Sequence, residues 1–307
     1  MNLLVGALTM GLILSLLALG VLVTFRILRT LDLTADGAFG VGAAVSAALL
    51  VRGYSAPVAT IAAAVAGALA GAATALTQTR LRVDPLLAGI LTSTGFYSVM
   101  LYVMGGGDLS VASERTLFTW AEDLWRLSRA PRSPLGVSAA NWASLVLVAG
   151  IVLVAAAWLR HFFRTRAGLA VRAAGDGPAM ARAQGIAIGG AVGLGLVLAN
   201  GLVGLSGAMF AQFQGFANVQ MSVGMFVTGL ACVVLGEAFG TRSVSRRIVG
   251  AIAGTIAFRL LVSAALRSGL DPNALKLATA ALVLVVLALP DVVRRATAPR
   301  AVGAADV

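Results

Sequence analysis

About nine apolar stretches, each long enough or nearly long enough to cross a hydrocarbon layer that takes about 20 residues of helix, run through this chain. They read as spans at Leu3 to Phe25, Asp36 to Val51, Pro57 to Thr79, Pro85 to Met104, Asn141 to Arg160, Ile188 to Phe213, Met221 to Phe239, Ile248 to Leu266 and Asn273 to Leu289. A segment in lipid must satisfy its own backbone, which leaves helices or closed barrels. Long Ala, Leu, Val and Gly runs without period-two alternation exclude the barrel. Composition agrees: 59% of the 307 residues are hydrophobic, 11% are charged and mean hydropathy is +0.96. Soluble chains run at about 45–50% apolar and about 25% charged. The expectation is an all-α polytopic membrane protein, one transmembrane domain over residues 1–307, with a discontinuous second span.

Net charge of +11 does not point to nucleic acid, because the arginines sit in short gaps between apolar runs and form no basic face with interleaved aromatics. They act as topology signals. Arg26 and Arg29, Arg80 and Arg82, Arg160 to Arg182, Arg242 to Arg247 and Arg294 to Arg300 fall on one side, which becomes the cytoplasmic side and holds most of the Lys and Arg. The amino terminus then faces outward and the carboxyl-terminal tail inward. The start MNLLVGALTMGLIL lacks the basic region of a cleavable signal.

Several chemistries are excluded by what the residues cannot assemble. A phosphate-binding loop needs a lysine after a glycine-rich turn, and the one lysine, Lys276, sits in ALKLATA. The one histidine, His161, cannot supply zinc-protease spacing, and the one cysteine, Cys232, reads as a small core residue. No nucleophile and base are paired, so the chain is not expected to be an enzyme.

FRILRTLDLTADGAFGVGAA places Asp32 and Asp36 between two apolar segments with too few residues for an ordinary loop. Asp36 or Thr34 is expected to cap the helix that follows. Ionisable groups at membrane depth also mark transport pathways, which keeps Asp32 and Asp36 as candidates for an ion-coupled carrier. A second informative stretch is Arg166 to Ile186, RAGLAVRAAGDGPAMARAQGI. Gly175, Gly177 and Pro178 predict a bend into two helical pieces. Leu169, Val171, Ala174, Met180 and Ile186 supply an apolar face, and Arg166, Arg172 and Arg182 a charged rim. In the outer loop, residues 105–140, Leu117, Trp120, Leu124 and Leu127 recur at helical spacing and predict an amphipathic helix at the outer interface.

LDLTADGAFGVGAAVSAALL, then DPLLAGILTSTGFYSVMLYVMGG, GLAVRAAGDGPAMARAQGI and NGLVGLSGAMFAQFQGFANVQMSVGMFVTGLACVVLGEAF follow one another in the chain. In that order they resemble the inner-membrane permease subunits of bacterial ABC importers, in the group of branched-chain amino acid and ribose permeases. Within it, the likeness is strongest to a branch assigned to tryptophan or tyrosine import, and it covers Leu31 to Pro290. The resemblance implies alternating access driven by a separate ATPase subunit, which carries ATP and Mg, so that no cofactor is bound by this chain directly. It further implies a substrate-binding protein outside the cell and a second permease copy in the lipid bilayer. Gly168, Leu169, Arg172, Ala173, Met180, Arg182 and Gly185 become the residues that couple to the ATPase.

The outer loop would offer a docking surface for the binding protein. Asn200, Gln212, Gln214, Asn218 and Gln220 join Asp32 and Asp36 as pathway candidates. The small-residue faces Gly67, Ala70, Gly71 and Gly201, Gly204, Gly207 are expected at a homodimer interface. Glu237 departs from the group's pattern and is expected to pair with Arg242 or Arg246. Arg259, deep in the eighth span, needs a carboxylate or carbonyl partner.

Overall fold

Proline at two helix starts and a left-handed break after the first crossing set the helical register. The computed structural model describes residues 2–127, 138–238 and 243–267, with isolated helical positions at 277, 280, 281, 283 and 284. Eleven α-helices occur among them: α1 (Asn2–Val21), α2 (Thr34–Val51), α3 (Ala56–Thr79), α4 (Pro85–Met104), α5 (Leu117–Leu127), α6 (Ala139–Phe162), α7 (Arg166–Asp176), α8 (Pro178–Ala183), α9 (Ile188–Gln214), α10 (Met225–Glu237) and α11 (Val244–Arg267). Pro57 and Pro85 enter the first turns of α3 and α4, where a missing N–H costs nothing. The Asp84 carboxylate accepts from Leu86 N at 2.9 Å to cap α4.

Eight segments among the described residues are long and apolar enough to cross a membrane. The protein is an all-α polytopic membrane protein. Each of these segments agrees with a sequence-read span to within a few residues. The ninth, Asn273 to Leu289, lies outside the described residues apart from the isolated positions.

α1 does not end at Val21. It widens into a π-helical stretch, Leu22–Ile27, in which Leu28 N donates to Val23 O at 2.9 Å. Arg29 then takes a left-handed conformation with φ 57°, which breaks the helix, and the backbone stays non-helical until Thr34. Buried contacts fix how far this stretch rises. α3 and α9 run antiparallel, with Thr79 level with Gly189, Ala75 with Gly193 and Gly71 with Leu196. Asp32 bonds to Asn200, which at 1.5 Å per residue lies roughly 16 Å above Gly189. That is about half the thickness of a hydrocarbon core of about 30 Å. The second crossing is discontinuous in this sense: an irregular lead-in climbs to mid-depth inside protein, and α2 completes the passage.

α1 and α2 are largely enclosed, and α4 is the most exposed of the described crossings. Small residues set the spacing. A methyl group added at Gly67 would lie 2.4 Å from Asn200 O, at Gly42 2.2 Å from Gly204 O, and at Gly207 2.0 Å from Phe39 O. Ala70 is fully buried beside them. The faces expected at a homodimer interface are therefore used inside the protomer, where α2, α3 and α9 approach backbone to backbone; Gly201 also faces α3, at Ala68. Gly236, Gly250 and Gly254 do the same for α10 and α11. Cys232 is buried between these two helices.

On the outer side, β1 (Leu109–Ser110) pairs antiparallel with β2 (Phe216–Ala217) and ties the long loop to the end of α9. The loop helix α5 forms as its spacing predicts, but with a different inward face. Leu117, Phe118 and Ala121 are buried, while Trp120 and Leu124 are exposed. Both sets obey helical spacing; Gln212 decides between them by accepting from Leu117 N at 2.9 Å through its Oε1. The Leu127 side chain and Arg129 and Arg132 lie outside the described residues.

Candidate functional site

Three layers of polar structure run from the inner face to mid-depth. At the inner face lie α7 and α8. Thr165 caps α7 by accepting from Gly168 N at 3.2 Å, and Gly177 separates the two helices, so the bend falls where Gly177 and Pro178 predict it. Gly175 does not bend the chain. It lets α7 touch the break after the π-helix, because a methyl group there would meet Ile27 O at 1.9 Å. The Arg29 guanidinium donates to Asp176 Oδ1 at 2.7 Å beside that contact.

The apolar face read from sequence divides in two. Gly168, Val171 and Ala174 are buried against the body of the protein. Leu169, 50% exposed, and Met180, 71% exposed, face outward. Arg182 and Gly185 are exposed, Ile186 and Ala173 half-buried. Arg172 is also half-buried and lines a cleft of about 110 Å³ with Arg26, Asp176 and Arg247, so it belongs to the inner seam more than to the outer rim. In this seam Arg26 pairs with Glu237 at the end of α10. Arg26 thus takes the place expected of Arg246. Arg246 is exposed with its backbone N–H donating to Ser243 Oγ at 3.3 Å, and Arg242 lies outside the described residues.

The middle layer is a buried node. Asp32, 1% exposed, accepts from Thr34 N at 3.0 Å and from Asn200 Nδ2 at 2.8 Å. Asn200, 0% exposed, also donates to Leu196 O at 3.0 Å. Thr34 and Thr74 share a hydroxyl bond of 2.6 Å. The start of α2 is therefore held by Asp32, and neither Thr34 nor Asp36 caps it with a side chain.

Asp36 caps a different helix. Its Oδ1 accepts from Phe226 N at 2.6 Å and its Oδ2 from Gly224 N at 3.1 Å, which satisfies donors at the start of α10. It lines a cleft of about 200 Å³ with Gly37, Ser93, Thr94, Tyr97, Met100, Ser222 and Val223. Gly37 and Gly40 allow that cleft to be narrow, since added methyl groups would lie 2.9 Å from Ser93 Cα and 2.1 Å from Met100 Sδ.

The remaining pathway candidates disperse. Gln212 is buried and donates to Ser46 Oγ at 2.9 Å and Thr60 Oγ1 at 2.8 Å, so its amide is fully engaged in packing. Asn218 Nδ2 donates to Asp108 Oδ1 at 2.6 Å on the outer side, and its own Oδ1 accepts from Gln220 N at 2.6 Å. Gln214 and Gln220 are exposed. Of the seven, Asp32 and Asn200 meet, and Asp36 lines a cleft at membrane depth. Arg259 packs toward α1, where a methyl group on Gly11 would lie 3.4 Å from its Cβ. Among the described residues no group of three or more His, Cys, Asp or Glu could hold a metal.

Sequence reading passed over Ser93, Thr94, Tyr97 and Ser222. For the three on α4 the signal was present in LTSTGFYS, a run of hydroxyls within the most exposed of the described crossings.

Residues 3–288 match the family described as branched-chain amino acid transport system / permease component. The chain is 32% identical to the tyrosine transport system permease protein of Clostridioides difficile (strain R20291), over 92% of this chain and 90% of that protein. It is 30% identical to an uncharacterised protein of Rickettsia prowazekii (strain Madrid E), over 90% of this chain and 94% of that one. It is also 30% identical to the autoinducer 2 import system permease protein LsrC of Escherichia coli (strain K12 / DH10B), over 79% of this chain and 65% of that one. No solved structure matches.

Proposed function

Because this chain belongs to the branched-chain amino acid transport system permease component family, we propose that it is the membrane-spanning subunit of an ATP-driven ABC importer for an amino acid or a related small solute. It is a multi-pass inner-membrane protein. ATP and Mg are held by a separate ATPase subunit, a binding protein outside delivers the solute, and two copies of this chain form the path. Tyrosine, named for the Clostridioides difficile relative, supports the amino-acid class.

The observation that carries this reading is how α7 and α8 are mounted. Their buried side is fastened to the break between the first two crossings through the Gly175–Ile27 contact and the Arg29–Asp176 pair. Their other side leaves Leu169, Met180 and Arg182 uncovered. A partner helix groove would take the two apolar side chains as anchors and Arg182 at its rim. Movement of α7 then acts on residues 27–33, and through Asp32 on the start of α2. The Arg26–Glu237 pair links the same seam to α10, so one displacement reaches both helices joined by Asp36. ATP and the loaded binding protein must each favour a different arrangement, or no work is transferred.

The test is copurification with a coexpressed ABC ATPase subunit. Met180→Glu with Arg182→Glu should cut recovered ATPase and ATP-driven uptake by about tenfold, the effect of about 1.4 kcal/mol at an anchor and its rim, while membrane insertion is unchanged. Full copurification and full uptake would overturn the coupling assignment.

A further inference from the structure

The cleft that holds Asp36 has a one-sided chemistry. Thr94 Oγ1 donates to Ile90 O at 2.9 Å and Ser222 Oγ donates to Val219 O at 2.9 Å. Both hydroxyl protons are therefore spent on backbone, and both oxygens remain as acceptors. The Asp36 carboxylate takes one N–H on each oxygen, and an ionised carboxylate has about four lone-pair sites. Among the described residues, no Lys, Arg or His lines this cleft. Ser93 and the Tyr97 hydroxyl add two groups that can accept or donate, and Met100 and Val223 add apolar wall.

A space of about 200 Å³ lined mainly by acceptors and one carboxylate is complementary to a compact cation with several N–H donors. We propose that this cleft is a recognition subsite for the primary ammonium group of the transported solute, with Asp36 as its counter-ion and the Thr94 and Ser222 oxygens as further acceptors. The proposal rests on the importer reading and adds the group that is recognised. The same carboxylate bridges α2 to the start of α10, so an ammonium bound there contacts the two helices that the inner seam can displace. Binding and movement share one residue.

The test reads the cleft without knowing the solute. Thr94→Cys in the permease–ATPase complex, reconstituted in lipid nanodiscs, is modified with a trimethylammonium-bearing or a sulfonate-bearing methanethiosulfonate, each rate normalised to a free thiol. The cationic reagent should be favoured by about tenfold, as expected where a cleft of one sign concentrates counter-ions. Ethylammonium should slow the reaction and propionate should not, an arm that needs no change at Asp36. In Asp36→Asn the preference should disappear, and Asp36→Glu should restore part of it. Equal rates for both reagents, protection by propionate equal to that by ethylammonium, or an undiminished preference in a folded Asp36→Asn protein would overturn the proposal. A charge-blind cleft in a complex that retains its ATPase defeats this inference alone; a cation-selective cleft in a chain that binds no ATPase defeats the importer reading alone.

Discussion

Among the described residues Asp32 has no cationic hydrogen-bond partner, and one backbone N–H and one amide stabilise it. Removing a donor from a buried charged acceptor costs about 1.5–3 kcal/mol, since the desolvation of the acceptor is no longer offset. Asn200→Ala is therefore expected to destabilise the protein by about 2 kcal/mol, measured by denaturation in mild detergent. Asp32→Asn in the Asn200→Ala background should recover part of the loss, because the uncompensated charge is gone. Additive losses would refute the pairing. Asp32 and Asn200 were each legible in the sequence as polar residues at membrane depth, yet their contact spans 168 positions and leaves no local pattern. Gln212 shows the same limit. An amide in a span reads the same whether it faces water or, as here, satisfies Ser46, Thr60 and Leu117.

Helices were the most legible feature, because bilayer thickness sets their length and proline marks their starts. Which helix faces which was not legible, since glycine and alanine faces look alike at any interface. The contrast between Gly207 and Gly150 tests this at the scale of the element. Gly207→Ala would push a methyl group to 2.0 Å from Phe39 O, whereas nothing lies within 4 Å of a methyl group on Gly150 in α6. Gly207→Ala should cost about 1–3 kcal/mol by forcing α2 from α9, and Gly150→Ala should be neutral or stabilising by up to about 1 kcal/mol through helix propensity. Thermal stability of the two variants checks this. Equal stability would show that the close approach of α2 and α9 is not required. The inward face of α5 was missed because its two candidate faces have the same period, and the deciding contact comes from α9.

For the whole molecule, the reassigned glycine faces move the expected homodimer contact elsewhere. α4 keeps Thr94, Tyr97 and Ser98 exposed within a membrane crossing, an arrangement that lipid disfavours and that a shared path between two copies would accommodate. Ser98→Cys is expected to crosslink between copies with a bifunctional maleimide, and Gly204→Cys is not; native mass spectrometry should give two copies of this chain with two ATPases. Crosslinking at Gly204→Cys alone would refute the α4 interface, and a single copy beside a different permease would refute the homodimer. The Asp32–Asn200 bond also sets a clock on synthesis. Its two halves are 168 residues apart, and at about 5–20 residues per second the ribosome takes roughly 8–34 s to deliver the second after the first. For that interval the first hairpin holds a carboxylate that has Thr34 N but lacks its amide partner. This bond must wait for the sixth crossing to arrive, and the Asp36 cap and the Arg26–Glu237 pair wait for the seventh.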